Sequence, residues 1–135
     1  MGWEFTNDRA ISPQIVEIIQ WNILSGVYPP GSALPSVRAL AVDAGVNPNT
    51  MQKALADLES QGLLRTQRNS GRTVTDDERL IMMLREHATA IYIDQFFAQM
   101  QELGIGRAEA VVMLEARASA SVAPASPSSQ PGEAN

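Results

Sequence analysis

Residues 34 to 74 read LPSVRALAVDAGVNPNTMQKALADLESQGLLRTQRNSGRTV, and the order of signals in this stretch decides the fold. Ser36 is placed to cap the free amides that open a helix from Val37. Val37, Leu40, Ala41 and Ala44 recur at i, i+3, i+4 and i+7, so one face is buried and Arg38 lies off it. Gly45 follows the last periodic residue, where a left-handed conformation ends a helix and permits a sharp bend. A second helix restarts at once, with Asn47 as N-cap and Pro48 at the first position, where the missing N–H costs nothing. Its apolar residues Met51, Ala54, Leu55 and Leu58 keep the same spacing, which leaves Asn49, Thr50, Gln52 and Lys53 on the opposite face near the amino end.

Gly62 stops this helix. Leu63 to Gln67 and Thr73 to Thr75 read as strands around a turn made of Arg68, Asn69, Ser70, Gly71 and Arg72. Each signal alone is common, because capped amphipathic helices occur everywhere. Two short helices joined by a tight bend and followed by a basic hairpin form a rarer succession, and it is that of a winged helix-turn-helix. In that arrangement the amino end of the second helix meets base edges in a major groove, and arginines at the hairpin tip suit phosphate or minor-groove contact.

These residues resemble the GntR family of bacterial transcription regulators. Gly31 to Ala41 is similar to the family's run from its first strand into the second helix, Gly45 to Thr50 to its turn and recognition-helix start, and Leu58 to Leu64 to its exit into the wing. Upstream, Ile15 to Gly31 is similar to the first helix and the turn after it. Only 60 residues follow Thr75, which is short for the effector domains of most subfamilies. The continuation, and Phe5-Thr6-Asn7-Asp8 ahead of the first helix, resemble the YtrA-like subfamily, whose members dimerise through two helices. The resemblance implies a homodimer on a double-stranded DNA operator with inverted-repeat symmetry, acting in most such proteins as a repressor. Ser36, Arg38, Asn47, Pro48, Asn49, Thr50, Gln52, Lys53, Arg68, Asn69, Ser70, Gly71 and Arg72 are the DNA-binding candidates it implies. Three positions depart from the family pattern. Gln52 stands where many relatives carry a basic residue, and it either pairs with adenine or makes no base contact. The usual Gly-x-Gly-Thr of the wing is here Asn69 to Arg72, so Arg72 adds a contact those relatives lack.

The fold expected is mainly α with a small β-wing, a winged helix-turn-helix over residues 1–75 followed by a two-helix dimerisation element over 76–118. From Asp76 to about Leu103 no Pro or Gly interrupts the chain. Leu80, Leu84, Ala88 and Ile91 make one apolar stripe of this helix, while Met83, Ala90, Ile93, Phe97 and Met100 make another. Two apolar faces need two partners. One is the last helix, about Arg107 to Ser119, through Ala108, Val111, Val112 and Leu114; the other is the same helix of a second subunit. The dimer-interface candidates are therefore Leu80, Met83, Leu84, His87, Ile91, Phe97, Met100, Val111 and Leu114. Met82, Met83, Tyr92, Phe96, Phe97 and Met100 read as dimer core, with a pocket for an unidentified small-molecule effector as the alternative. Residues 119–135, rich in Ala, Ser and Pro, read as a disordered tail.

Composition limits the other function classes. The chain has 135 residues and a formal net charge of −5, which is unusual beside DNA. The acidity is not evenly spread: residues 1–75 hold six basic and six acidic side chains, and the remainder four against nine. Within residues 38–72 five basic residues face three acidic ones, a local surplus that predicts modest phosphate affinity and a shallow salt dependence. There is no cysteine, no apolar run long enough to span a membrane and no signal-peptide pattern at the start, so a cytoplasmic protein without disulfides is expected. One histidine, no phosphate-binding glycine loop and no recognisable carboxylate pair argue against an enzyme and against any metal or other cofactor. The remaining rival is a winged-helix module that binds protein without reading DNA sequence.

Overall fold

A computed structural model describes residues 2–68 and 71–122. Its elements in chain order are helix α1 (Ile11–Leu24), α2 (Val37–Ala44), α3 (Pro48–Ser60), strands β1 (Leu64–Gln67) and β2 (Gly71–Val74), and helices α4 (Glu78–Glu102) and α5 (Arg107–Val122). The chain divides into two compact units, one ending at His87 and one beginning at Ala88.

The first unit is a three-helix cluster closed by the hairpin. Ile15, Ile18, Ile19 and Ile23 form the inner face of α1. Met51, Ala54, Leu55 and Leu58 form that of α3, and Leu40 and Ala41 add the contribution of α2. All are nearly or wholly withdrawn from solvent, and α3 packs against α1, α2 and β1. The expected caps are in place. Ser36 Oγ accepts the Ala39 amide at 3.0 Å, and Asn47 Oδ1 accepts that of Asn49 at 2.7 Å. Gly45 takes the left-handed conformation with φ of 73°, and its amide and that of Val46 both return to the Ala41 carbonyl. Only three residues separate α2 from α3, so the bend is fixed by local chemistry.

The wing differs from its expected boundaries. Gly71 and Arg72, expected in the turn, are the first residues of β2, while Thr75 lies beyond its end. The antiparallel register pairs Leu64 with Val74, Thr66 with Arg72 and Gln67 with Gly71. Gly71 begins the strand with φ of 76°, a conformation open to glycine, so pairing resumes two residues earlier than the β-branched pattern suggested. On the other side of β2 the Leu34 amide donates to the Arg72 carbonyl at 2.9 Å and the Val74 amide to Ser32 at 2.8 Å, laying the approach to α2 along the wing.

Contacts at both ends complete the first unit, and those at the carboxyl end pass the expected domain limit. Gln14, buried in α1, accepts the Thr6 amide and donates to the carbonyls of Thr6, Arg9 and Ala10, which pins the amino-terminal arm. Arg9 meets Glu17 through both nitrogens, and the Trp3 indole donates to Asp43 of α2 at 2.8 Å. At the other end, the first turns of α4 belong to this unit, not to a separate module that starts after Thr75. Ile81 is buried, Arg85 Nε donates to the Leu24 carbonyl at 3.0 Å, and Leu80 lies close to Gly62. Asp77 caps the helix by accepting the amides of Arg79 and Leu80.

The second unit consists of the rest of α4 and α5. Gly104, with φ of 81°, ends α4, and the Ile105 amide returns to Met100. The Arg107 guanidinium lies 4.5 Å from the centre of the Phe97 ring. Among its residues of described burial, α5 buries Ala110, and Ala108, Val111, Val112 and Leu114 are exposed. A continuous apolar run has no single helical stripe, so periodicity could not set its phase. The helix also continues through Ser119 to Val122, which the sequence assigned to a tail; residues 123–135 lie outside the described residues.

Candidate nucleic-acid interface

The candidate surface is built on α2, α3 and the hairpin. Burial of Met51, Ala54, Leu55 and Leu58 turns the other side of α3 outward, and Asn49, Gln52 and Lys53 are exposed there with Thr50 half-buried beside them. Arg38 is exposed one position into α2, and Pro48 is exposed at the start of α3. Arg68 is exposed just beyond the end of β1, where Gln67 pairs with Gly71; Asn69 and Ser70 lie outside the described residues. The structure thus gathers the polar ends of two helices and one wing arginine in the first unit.

Two of these side chains have a second duty. Ser36 and Asn47 spend an acceptor on capping, but the Ser36 O–H and the Asn47 amide N–H donors are left to meet phosphate or base. The cap therefore orients the donor. Among the described residues Arg38, Lys53 and Arg68 take part in no ion pair, which leaves their charge available to a polyanion.

Two arginines are used differently. Arg65 donates to Asp76 at 2.5 Å on an exposed face. Arg72, expected at the wing tip as an open phosphate contact, is turned inward: its Nε lies 3.3 Å from Glu59 Oε1 of α3, and its side chain is 14% exposed. Glu59 also accepts the hydroxyl of Thr66. Sequence reading missed Glu59 because its partners are 7 and 13 residues away on another element.

The Thr66 hydroxyl holds the Glu59 carboxyl below the ordinary glutamate value; partial burial opposes this, and the charge of Arg72 reinforces it. The folded state therefore favours the ionised carboxylate. Its contribution to stability is complete above the unfolded glutamate pKa of about 4.3 and is lost as pH falls through the lower folded value. The stability gap between the natural chain and Glu59→Gln, followed by urea unfolding, should stay constant above about pH 5.5 and close below about pH 4. A gap that persists at the acid end would show that the carboxylate charge is not what stabilises the wing.

The expected dimer-interface residues fall into two groups. Leu80 and Leu84 are half-buried within the first unit, and Phe97, with Arg107 over its ring, is half-buried along with Met100. Met83, His87, Ile91, Val111 and Leu114 are exposed, as are Met82 and Tyr92, also read as dimer core, together with Ile93, Leu103, Val112 and Met113. A cleft of about 540 Å³ in the second unit is lined by Phe97 with Asp94, Gln101 and Arg107. Met82, Met83, Tyr92, Phe96 and Met100, suggested as pocket residues together with Phe97, do not line it. Among the described residues no helix is long and apolar enough to cross a membrane, and no group of three His, Asp or Glu side chains could hold a metal.

This geometry has known counterparts. Residues 11–74 match the model of the bacterial regulatory proteins, gntR family. The chain is 31% identical over 109 residues to the uncharacterized HTH-type transcriptional regulator YhcF of Bacillus subtilis, a match covering 81% of this chain and 90% of that one. The chain belongs to the gntR family.

Gene regulators of this family bind DNA, and this chain is accordingly a DNA-binding transcriptional regulator with a winged helix-turn-helix. It is also 33% identical over 94 residues to the HTH-type transcriptional repressor YtrA of Bacillus subtilis, covering 65% of this chain and 72% of that repressor. A solved GntR family transcriptional regulator from Listeria monocytogenes superposes with a TM-score of 0.73 at 34% identity, over 83% of this chain and 98% of the other. That overlap extends past the family model, so the likeness takes in helices that follow the wing as well as the reader.

Proposed function

We propose that this gntR-family protein is a cytoplasmic repressor that acts as a homodimer on an inverted-repeat operator. The observation that carries the DNA-reading half is the joint exposure of Arg38, Asn49, Gln52 and Lys53 on two capped helices whose other faces turn into the core, with Arg68 exposed on the wing. Asn49, Gln52 and Arg38 supply directional hydrogen bonds to base edges, while Lys53, Arg68 and the donors on Ser36, Asn47 and Thr50 hold the backbone. The dimer half rests on the apolar surface of the second unit. Ile91, Ile93, Val112 and Leu114 each leave about half or more of their surface in water, and a run of that kind is stable when another apolar surface covers it. Two copies related by a two-fold axis present two readers to two half-sites. A dimer seated at a promoter obstructs polymerase, and the similarity to a protein named as a repressor favours that direction of control.

Selection of bound duplexes from a randomised pool by the full chain tests the reading. Enrichment of an inverted repeat is expected; equal retention of all sequences at low ionic strength would sink it. Arg38→Ala should then weaken binding to the selected duplex by about 1 to 3 kcal/mol, the range for removing one base-reading interaction, and relax preference at the base pair it reads. An unchanged footprint and affinity would remove Arg38 from the reading surface.

A further inference from the structure

Position 72 is where three pieces of the first unit meet. The Arg72 carbonyl accepts the Leu34 amide on the approach to α2, and its backbone pairs with Thr66 across the hairpin. Its guanidinium reaches Glu59 in the last turn of α3, and the Thr66 hydroxyl reaches the other oxygen of the same carboxylate. Both members of one rung of the wing thus converge on a single side chain of the recognition helix. Arg72 and Glu59 are 14% and 28% exposed, whereas the nearby cations Arg38, Lys53 and Arg68 are open. A guanidinium arranged to meet phosphate has to offer its donors to solvent, whereas this one turns its Nε to Glu59 and leaves little of its side chain exposed.

We propose that Glu59 is a positioning residue for DNA reading, clamping the wing to the recognition helix through Arg72 and Thr66 and so fixing where Arg68 reaches. This rests on the DNA-reading function proposed above. The clamp and the simpler picture differ in sign. If Glu59 only repels phosphate, or only holds back an Arg72 that would otherwise meet DNA, then removing its charge strengthens binding. If Glu59 sets the wing's position, removing it weakens specific binding even though an acid has been taken from the surface.

The experiment uses the full chain and the duplex selected above, with affinity measured across a range of salt for the natural protein, Glu59→Gln, Arg72→Ala and the double variant. Each single change should weaken specific binding several-fold, and the double variant should be no weaker than the worse single one, because both remove the same clamp. The salt slope should be unchanged in Arg72→Ala. If Arg72 instead neutralised a phosphate in each of the two readers, its removal would lower the slope by about 2. Thr66→Val, which leaves every charge in place, should weaken binding in the same direction by less. Without DNA, the amides of β1 and β2 should exchange faster with solvent in Glu59→Gln, by more than those of α1 and α3. Tighter or equal binding by Glu59→Gln, or a slope lowered by about 2 in Arg72→Ala, overturns the clamp. So does unaltered wing exchange, whatever becomes of the functional reading; failure of the natural protein to prefer any duplex counts against that reading alone.

Discussion

Ile91→Glu combined with Leu114→Glu should convert the protein to a monomer and lower its affinity for an inverted-repeat operator by about 10² to 10⁴-fold. Ile91 and Leu114 are 48% and 51% exposed in the single chain, so glutamate at either position meets water and leaves the fold of the monomer intact. In the proposed dimer both side chains are covered, and burying an unpaired carboxylate there is strongly unfavourable. The drop in DNA binding exceeds that from removing any base interaction because the second reader no longer arrives at high effective concentration; linkage of two weak sites contributes about 10² to 10⁴ in affinity. Sedimentation velocity and a gel shift on one and two half-sites check this. Persistence of a dimer in the double variant would move the subunit interface elsewhere, and a monomer with undiminished affinity for the full operator would remove the need for two readers.

Leu55→Ala should destabilise the first unit by about 2 to 5 kcal/mol, the range for removing a buried leucine from a packed core. Leu55 is 1% exposed on the face of α3 that packs against α1, between Met51 and Leu58. It has no exposed surface through which to relax, so the missing methyl groups leave a void. Against a total stability of about 5 to 15 kcal/mol for a domain of this kind, that is a large share, and the urea midpoint should fall accordingly. Val42 offers the matched control: at 81% exposure on α2, Val42→Ala should alter stability by no more than about 0.5 kcal/mol. If the two variants unfold at the same midpoint, the side of α3 taken as its inner face is wrong, and the outward direction of Gln52 and Lys53 is wrong with it.

What the sequence revealed divides by distance along the chain. Ser36, Gly45, Asn47 and Pro48 act on neighbours one to four residues away, and their consequences, two capped helices with a short bend between them, are in the structure as read. The outward face of α3 followed from the same local periodicity. Gly71 misled the reading of the wing because glycine signals a turn on composition but here opens a strand. Arg72 misled the reading of the site: a basic residue near a hairpin tip has no sequence mark that distinguishes an open cation from one held by Glu59, 13 positions earlier. The same limit hid the Trp3 bond to Asp43, 40 positions away, and that of Arg85 to the Leu24 carbonyl, 61 away. In α5, four consecutive apolar residues from Val111 to Leu114 left the phase open, and the small Ala110 proved to be the buried one.

The docking of the first turns of α4 onto the reader has a consequence for how regulators of this build exchange parts. Ile81 and Arg85 are encoded downstream of the wing, yet they complete the folding of the unit that carries it. A recombination crossover placed at the end of β2 would therefore deliver a reader whose Leu24 carbonyl has lost its arginine donor and whose apolar surface has lost Ile81. A crossover beyond His87 would carry the whole compact unit intact, which puts the joint within the helix and not in the loop before it.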